Sequence, residues 1–345
     1  MNKVRFGLVG TGRITSWVLK GAVLEPRFQA EAICSRTLSK TQEFARAHQI
    51  PLSYDDLDQM LANKGIDAVY IGTPNHTHCD LAIRCMEAGK HVLCEKPLGC
   101  SAEEVRKMMK VAEEHQVVLM EAMISTLNPN FIRTQEQLSA LGKIRKYQAS
   151  FCQYSSKYEL VREVVAKKDW SRLPASFNPL CGGGALKDIG IYTIYPMVAL
   201  FGRPEKIHSE IITMKVPVAE DRWMDVDIQG TAEFRYPGMN ASISYSKVAD
   251  AFAPTEICGE EGNLLLDKIH ICKKLEYKPH AAPHSGRGQD AVSEDLTCPT
   301  PPDEYTCEFT EFIQLMTGGP AKGNNCLQNS LIVAEIMDSI KPTQI

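Results

Sequence analysis

The first third of the chain alternates short apolar runs with segments of helical spacing. The series begins with a strand pattern over Val4–Val9 and a helix pattern over Arg13–Leu24, and it closes with a strand pattern over Val117–Met120. Strands that alternate with helices pair in parallel through right-handed crossovers. The sequence therefore predicts a doubly wound parallel α/β sheet as a first domain, residues 1–123.

Residues 124–345 follow a different pattern. Several stretches, such as Lys206–Val216, alternate apolar and polar residues as antiparallel strands do. A glycine run at Gly182–Gly184 precedes a helix pattern that reaches about Phe201. We therefore predict a second α/β domain with an open, mostly antiparallel sheet, one inserted helix and a loop over His280–Pro302.

Charge and composition exclude several classes of partner. The net charge is −4 with both signs mixed along the chain, which gives no basic footprint for nucleic acid or a membrane surface. The apolar runs end well short of the roughly 20 residues that a membrane span needs. The 12 cysteines are scattered singly, without a Cys-x-x-Cys pair. This is typical of reduced cysteines in a cytoplasmic protein.

The turn after the first strand has the spacing Gly10-x-Gly12-x-x-Thr15. The first glycine permits a tight turn, and the second lets the backbone approach a pyrophosphate at the N-terminus of the following helix. Thr15 replaces the usual third Gly or Ala. Because the motif follows a strand and opens a helix, it predicts a dinucleotide site. The residues expected to line the phosphates are Gly10, Thr11, Gly12, Arg13 and Ile14.

The end of the second strand indicates which dinucleotide binds. A site for NAD usually places Asp or Glu there, but this chain has Ser35 and Arg36, with Lys40 nearby. A hydroxyl and a guanidinium suit a 2′-phosphate. We predict that NADP(H) is preferred; the alternative is that Arg36 only stacks on adenine and that either NADP(H) or NAD(H) is used.

The loop after the strand Ala68–Ile71 contains Thr73, Pro74, Asn75 and His78. In an open α/β sheet the cofactor lies across the carboxyl ends of the strands, so these residues are expected at the ribose and nicotinamide. The pair His76-x-His78 lacks a third ligand at a recognisable spacing, and no metal site is predicted.

Two later motifs carry groups suited to proton transfer. Lys96, in Glu95-Lys96-Pro97, ends a buried strand pattern, and Asp188 and Tyr192 lie four residues apart on one predicted helix face. A nearby ammonium would favour tyrosinate. From the residues alone, Lys96 can equally be an exposed charge at the strand end, and Tyr192 a core tyrosine with a bonded hydroxyl.

Taken in order, these motifs resemble the Gfo/Idh/MocA oxidoreductases over essentially the whole chain, most of all the branch of dimeric dihydrodiol dehydrogenases and NADP-dependent xylose dehydrogenases. The resemblance rests on Gly10–Ile14, Thr73–His78, Glu95–Pro97 and Gly182–Tyr192. It implies an N-terminal Rossmann domain and a C-terminal domain whose sheet often forms a dimer face, hence a homodimer or homotetramer.

The resemblance also implies that Lys96 and Tyr192 are the catalytic pair and that the Lys96–Pro97 peptide bond is cis. In this interpretation Tyr192 exchanges the hydroxyl proton, Lys96 lowers the pKa of Tyr192 and bonds the substrate oxygen, and Asp188 orients the substrate or Lys96. Glu95 is expected to bond on the cofactor side or to orient the loop.

Two segments leave the substrate open. Relatives often carry an arginine shortly before a proline after Met120–Ala122, but Ile124–Pro129 has none. Residues 155–179 can form a wall or lid of the site, or a solvated helix.

The predicted activity is hydride transfer between the nicotinamide and a small carbohydrate-like substrate: a sugar, polyol, vicinal diol or dicarbonyl. Two alternatives remain, a cofactor-binding sensor without turnover and a nicotinamide-dependent glycosidase.

Overall fold

A computed structural model describes residues 3–280, 292–322 and 324–341. The strands of this part of the chain are β1 Val4–Val9, β2 Phe28–Cys34, β3 Leu52–Tyr54, β4 Ala68–Ile71, β5 His91–Glu95, β6 Leu119–Ala122, β7 Ile144–Cys152, β8 Lys206–Ala219, β9 Arg222–Tyr236, β10 Met239–Ser246, β11 Thr255–Gly259, β12 Gly262–Leu266, β13 Leu275–Pro279 and β14 Glu294–Asp295. Its α-helices are α1 Arg13–Ala22, α2 Leu38–His48, α3 Leu57–Leu61, α4 His78–Glu87, α5 Ala102–Glu114, α6 Ile124–Leu127, α7 Pro129–Gln137, α8 Tyr158–Lys167, α9 Ile191–Phe201, α10 Thr306–Met316 and α11 Leu327–Ser339.

The chain forms two units, of which the first comprises Met1–Ile124 and Pro301–Ala334. Within its described residues, six strands pair in the order β3-β2-β1-β4-β5-β6, and every pair is parallel. The order reverses between β1 and β4, which is where doubly wound sheets bind their ligands. The predicted parallel sheet is confirmed.

Helix α10 packs on one face of this parallel sheet. The ring of Phe309 lies 5.3 Å from that of Phe6 on β1 and 5.0 Å from that of Phe28 on β2, and all three are almost fully buried. Edge-to-face aromatic packing of this kind holds α10 against the first two strands. A segment late in the sequence therefore completes the core of the first unit.

The second unit comprises Ser125–Thr300 and Glu335–Ile345. Its described strands form an eight-stranded sheet in the order β14-β13-β12-β11-β7-β10-β9-β8. Strands β7 and β10 pair in parallel, and the remaining described pairs are antiparallel. The prediction of an open, mostly antiparallel sheet is confirmed.

Helix α9 lies on one face of the sheet in this second unit. Its residues Ile194 and Tyr195 are fully buried, and Tyr147 of β7 donates a hydrogen bond from its hydroxyl to the carbonyl of Thr193 at 3.1 Å. A π-helical turn over Leu186–Gly190 precedes α9. Single π turns occur frequently at functional sites.

Residues 155–179 contain α8 and two short 3₁₀ turns, Trp170–Arg172 and Ala175–Phe177. Helix α8 is amphipathic: Val161 and Val164 are buried, and Val161 belongs to a cluster with Val216 and Val218 of β8, while the charged side chains of the helix are exposed or half-buried. Residues 281–291 of the predicted loop over His280–Pro302 lie outside the described residues. Among the residues that are described, no helix is long and apolar enough to cross a membrane.

Candidate functional site

The turn between β1 and α1 has the shape of a phosphate cradle. Gly10 has φ +105°, and a Cβ there would lie 2.6 Å from the carbonyl oxygen of Gly72, so no other residue fits. A Cβ on Gly12 would meet only that oxygen, at 4.0 Å. Gly12 is the N-cap of α1 and offers no side-chain hydrogen bond. The first backbone N–H groups of the helix therefore receive no bond from the capping residue, and they lie at the positive end of the helix dipole. Thr11 and Ile14 are half-buried, and Arg13 is exposed.

Thr15 fits at the third position of the motif because its neighbour is a glycine. The side chain is fully buried, and a Cβ on Gly72 would lie only 2.8 Å from its Oγ1. The absent side chain of Gly72 thus makes room for a threonine where relatives of the motif carry Gly or Ala. The Oγ1 of Thr15 is buried without a hydrogen-bond partner among the described residues.

The end of β2 presents exposed positive charge. Arg36 and Lys40 are both exposed. The Oγ of Ser35 bonds the Oγ1 of Thr41 at 2.6 Å, which fixes the hydroxyl at the start of α2. A hydroxyl has one donor and two acceptor positions, so this bond leaves Ser35 capacity for a phosphate oxygen. Helix α2 begins at Leu38.

The loop after β4 lies against the glycine turn. A Cβ on Gly10 would lie 3.1 Å from the Cγ2 of Thr73, and the hydroxyls of Thr73 and Thr77 bond at 2.7 Å. Pro74 is exposed and caps a 3₁₀ turn over Asn75–Thr77. The structure therefore brings together two of the predicted cofactor segments.

His78 ties this loop to the lysine motif. Its ring is fully buried, with Nδ1 2.8 Å from the carbonyl oxygen of Pro97 and Nε2 2.9 Å from that of Thr73. Burial lowers the pKa of His78 and favours the neutral ring, which has one N–H and donates to one of the two carbonyls at a time. Through these two contacts His78 links the backbone of Thr73 to that of Pro97.

Lys96 directly follows β5 and is half-buried, and the Lys96–Pro97 bond is cis, as the family resemblance implied. The preceding Glu95 is buried and accepts a hydrogen bond from the hydroxyl of Tyr70 at 2.8 Å. Burial raises the pKa of Glu95, while the positive charge of Lys96 lowers it. Glu95 therefore has a buried hydrogen-bond partner on β4, and its orienting role stays a prediction.

Two further buried carboxyls surround this strand end, and sequence reasoning missed both. Glu121 of β6 accepts a hydrogen bond from the backbone N–H of Leu98 at 2.8 Å, and burial raises its pKa to about 7. Glu308 of α10 is 1% exposed, and burial followed by the charge of Glu95 raises its pKa well above the usual value. The sequence did hold a signal for Glu121, since it is the one charged residue within the otherwise apolar run Leu119–Ala122.

In the second unit, Asp188 lies in the π turn and Tyr192 in the first turn of α9. The Oδ2 of Asp188 is 2.7 Å from the Nζ of Lys247, which is 3% exposed. That ammonium also donates to the carbonyl of Ser176 at 2.7 Å and lies 4.0 Å from the centre of the Phe177 ring. Lys247 has no motif around it, and sequence reasoning missed it.

The π turn is held by Asp227, a half-buried acid of β9. Gly184 has φ +134°, and a Cβ there would lie 2.0 Å from the Oδ1 of Asp227. The Oδ2 of Asp227 accepts a hydrogen bond from the backbone N–H of Leu186 at 2.6 Å. The third glycine of the run is therefore required, because it lets Asp227 bond the start of the turn that carries Asp188.

Aromatic rings surround Tyr192, which is half-buried. Its ring meets that of Phe151 edge to face at 5.6 Å and lies 6.4 Å from that of His270. Phe151 and His270 stack at 4.0 Å, and burial lowers the pKa of His270 to about 4. The ring of Tyr192 thus packs against Phe151 and His270, and the imidazole of His270 is uncharged at neutral pH. Among the described residues, no group of three His, Cys, Asp or Glu side chains is placed to hold a metal ion.

Two family models match the chain. Residues 4–123 match the model of the oxidoreductase family with an NAD-binding Rossmann fold, GFO_IDH_MocA. Residues 134–265 match the model of the GFO/IDH/MocA C-terminal domain. Together they cover more than half of the chain, as the resemblance of the motifs implied.

Curated relatives and solved structures agree with this match. The chain is 34% identical to scyllo-inositol 2-dehydrogenase (NADP(+)) IolU of Bacillus subtilis, over 98% of this chain and 96% of the relative. It is 34% identical to trans-1,2-dihydrobenzene-1,2-diol dehydrogenase of Sus scrofa, over 75% and 72%. A crystal structure of KijD10, a 3-ketoreductase from Actinomadura kijaniata in complex with NADP and TDP-benzene, has the same fold, with a TM-score of 0.79, 23% identity and coverage of 98% and 97%.

Proposed function

The chain belongs to the Gfo/Idh/MocA family of oxidoreductases, and we propose that it is an NADP(H)-preferring dehydrogenase or reductase. Its substrate is a sugar, polyol or vicinal diol, or the corresponding dicarbonyl. The observation that carries the proposal is the exposed pair Arg36 and Lys40 beyond β2, where an NAD site usually has an acid. A relative that matches almost the whole chain is named as an NADP(+)-dependent inositol dehydrogenase, which supports the same cofactor and substrate class.

The residues of the first unit fit a dinucleotide. The space over Gly12 and the N-terminus of α1 suit the pyrophosphate. Arg36 and Lys40, with the Ser35 hydroxyl, would bind a 2′-phosphate through charge-assisted hydrogen bonds. Thr73, Pro74 and Asn75 would line the ribose and nicotinamide, with His78 and Glu95 fixing the backbone that carries them. NAD(H) lacks the 2′-phosphate and would bind more weakly.

A bound nicotinamide supplies a hydride acceptor in oxidation and a hydride donor in reduction. When the substrate is oxidised, a hydride leaves its carbon for the nicotinamide. The hydroxyl on that same carbon must then lose its proton as the carbonyl forms. We assign that proton to Tyr192, and we assign Lys96 the role of favouring tyrosinate and bonding the substrate oxygen. Asp188 accepts a hydrogen bond from the substrate and orients it.

The proposal extends to domain roles, assembly and location. Residues 1–123 bind the dinucleotide, and residues 124–345 bind substrate and form the oligomer through their sheet. Ile212 of β8 and Trp223 of β9 are apolar side chains exposed on that sheet, 54% and 38% respectively, which supports a homodimer or homotetramer. Light scattering of the purified protein tests this by mass. A cytoplasmic location is supported by cysteines that form no disulfide in the described residues.

The cofactor and the activity are tested together with purified protein freed of nucleotide. NADPH and NADH are titrated by fluorescence, and each complex is screened for turnover with pentoses, hexoses, inositols, diols and diketones. We expect tighter binding of NADPH and turnover on at least one polyol, sugar or dicarbonyl. Tight binding without any turnover would instead favour the sensor, and failure to bind either nucleotide would overturn the proposal.

A further inference from the structure

Lys247 is a buried cation that the proposed reaction does not use. It directly follows β10, and its backbone N–H donates to the carbonyl of Ile228 on β9 at 2.9 Å, so its main chain is fixed by the sheet. Its ammonium reaches Asp188 in the π turn and the carbonyl of Ser176 in the 3₁₀ turn Ala175–Phe177, each at 2.7 Å. One side chain therefore joins the sheet to both turns.

A lysine at this depth is costly unless its charge is well paired. Removing an ammonium from water carries a large free-energy penalty, which an opposite charge and further hydrogen bonds must offset. Here the carboxylate of Asp188, a carbonyl oxygen and the face of the Phe177 ring all meet the ammonium. A well-packed apolar side chain would fill such a position without this penalty. The positive charge of Lys247 therefore calls for a role at its ionic partner, the carboxylate of Asp188.

The charged and titratable groups around this ion pair come from three elements. Asp227 of β9 is half-buried; burial raises its pKa, and the charges of Lys247 and Lys187 oppose that shift. Tyr245 of β10 has a pKa raised by burial and by Asp227, so it stays neutral. The two acids have different partners: Asp227 accepts a hydrogen bond from the backbone of the π turn, and Asp188 forms the ion pair with the ammonium of Lys247.

We propose that Lys247 is a positioning residue, which holds the Asp188 carboxylate ionised and oriented as a hydrogen-bond acceptor for a substrate hydroxyl. The inference rests on the proposed function for the identity of the substrate. An ionised carboxylate accepts hydrogen bonds and cannot donate them, and it has about four acceptor positions.

This role sets a requirement on the substrate. A site that binds a hydroxyl through a charged acceptor discriminates strongly against an analogue that lacks the hydroxyl. The structure thus points to a polyhydroxy substrate, with a hydroxyl beside the reacting carbon that donates to Asp188. A substrate with a single hydroxyl would not use Asp188 or depend on Lys247.

The activity test is a double-mutant cycle on the substrate found by the screen. Lys247→Met keeps the length and the packing on Phe177 but removes the charge, and Asp188→Asn keeps the shape but removes the negative charge. We expect each variant to lower kcat/KM for the polyol by about tenfold or more and to lose most of the preference for the polyol over its deoxy analogue. The double variant should be little worse than Asp188→Asn. Additive losses, or an unchanged preference in Lys247→Met, would overturn the inference.

The pH profile separates positioning from folding. Without its cation the carboxylate is protonated more readily, so the acidic limb of kcat/KM for Lys247→Met should move up by about one to three pH units. Lys247→Arg should restore the wild-type limb, and Lys215→Met, which removes an exposed lysine of β8, should not move it. A limb that stays in place in a folded Lys247→Met would count against the inference.

A second measurement does not depend on activity. Carbon-13 NMR of protein labelled at aspartate carboxyls follows the titration of Asp188, whose signal is identified by its loss in Asp188→Asn. We expect Lys247→Met to raise that titration midpoint by about one to three pH units. An unchanged midpoint would overturn the role of Lys247. A shifted midpoint in a protein that turns over no substrate would instead show that the proposed function has failed while the ion pair stands.

Discussion

Glu121 offers a quantitative test of how burial shifts the pKa of the carboxyl groups near Lys96. Its side chain is 3% exposed, and burial raises its pKa from 4.5 to about 7. Above pH 4.5 the unfolded chain releases the proton of Glu121, whereas the folded chain keeps it until about pH 7. Rising pH therefore lowers the free energy of the unfolded state relative to the folded state, and the contribution of Glu121 to stability, complete below pH 4.5, is lost as the pH rises to about 7.

The magnitude follows from the difference in pKa. A difference of about 2.5 units corresponds to about 3 kcal/mol at 1.36 kcal/mol per unit. Glu121→Gln removes the titration but keeps an oxygen for the backbone N–H of Leu98. Relative to wild type, the variant should gain about 3 kcal/mol of unfolding free energy between pH 4.5 and 7.5, with the gain complete near pH 7.

Urea unfolding of the nucleotide-free protein, followed by circular dichroism at half-unit steps of pH, measures this difference. Glu113→Gln is the matched control, because Glu113 is an exposed glutamate of α5 in the same unit. Its curve should run parallel to that of wild type. A difference between Glu121→Gln and wild type that does not change with pH would refute the electrostatic argument.

Four other substitutions test the cofactor site, the proton-transfer pair and the π turn. Arg36→Ala should weaken NADPH binding by about 10- to 100-fold, since hydrogen bonds to a charged group contribute about 1.5–3 kcal/mol, and it should change NADH binding little. Lys96→Met and Tyr192→Phe should each lower kcat by about 100-fold or more while NADPH still binds, as measured by steady-state kinetics and fluorescence titration. Gly184→Ala should destabilise the protein by more than about 1 kcal/mol in urea unfolding, because its φ is +134° and Asp227 fills the space of a Cβ.

Matched controls make these outcomes specific. Arg46→Ala removes another exposed arginine from α2 and should leave the preference for NADPH unchanged. Gly202→Ala also changes a glycine of positive φ, +72°, but no atom lies within 4 Å of its Cβ position, so its loss should be smaller than that of Gly184→Ala. Equal effects of Arg36→Ala on both nucleotides would remove the 2′-phosphate assignment. Near-normal kcat in either Lys96→Met or Tyr192→Phe would remove that residue from proton transfer.

The local signals in the sequence predicted most of the first unit. Apolar runs separated by helical spacing gave the parallel sheet, and the glycine spacing gave the turn at Gly10 and Gly12. The start of α5 also depends on close neighbours, since the Oγ of Ser101 accepts a hydrogen bond from the N–H of Glu104 at 3.3 Å. These features depend on neighbours within a few residues, which a sequence displays directly.

Features that depend on distant residues could not be predicted in this way. The partner of Asp188 is Lys247, at the end of a strand that the sheet brings back to the π turn. Thr15 fits at the third position of the glycine motif because Gly72, 57 residues later in the chain, has no side chain to occupy the same space. In each case long-range packing, rather than local propensity, decides the outcome.

The most direct test of the central claim follows one hydrogen atom. The polyol found by the screen is prepared with deuterium on the carbon of each oxidisable CH–OH group and is incubated with the protein and NADP⁺. Mass spectrometry then measures the label in the nicotinamide product. We predict NADPH that carries one deuterium, with one carbonyl product formed for each cofactor reduced. Product formation without labelled NADPH, or no reduced NADPH with any substrate, would contradict the assignment of this chain as an NADP(H)-linked dehydrogenase.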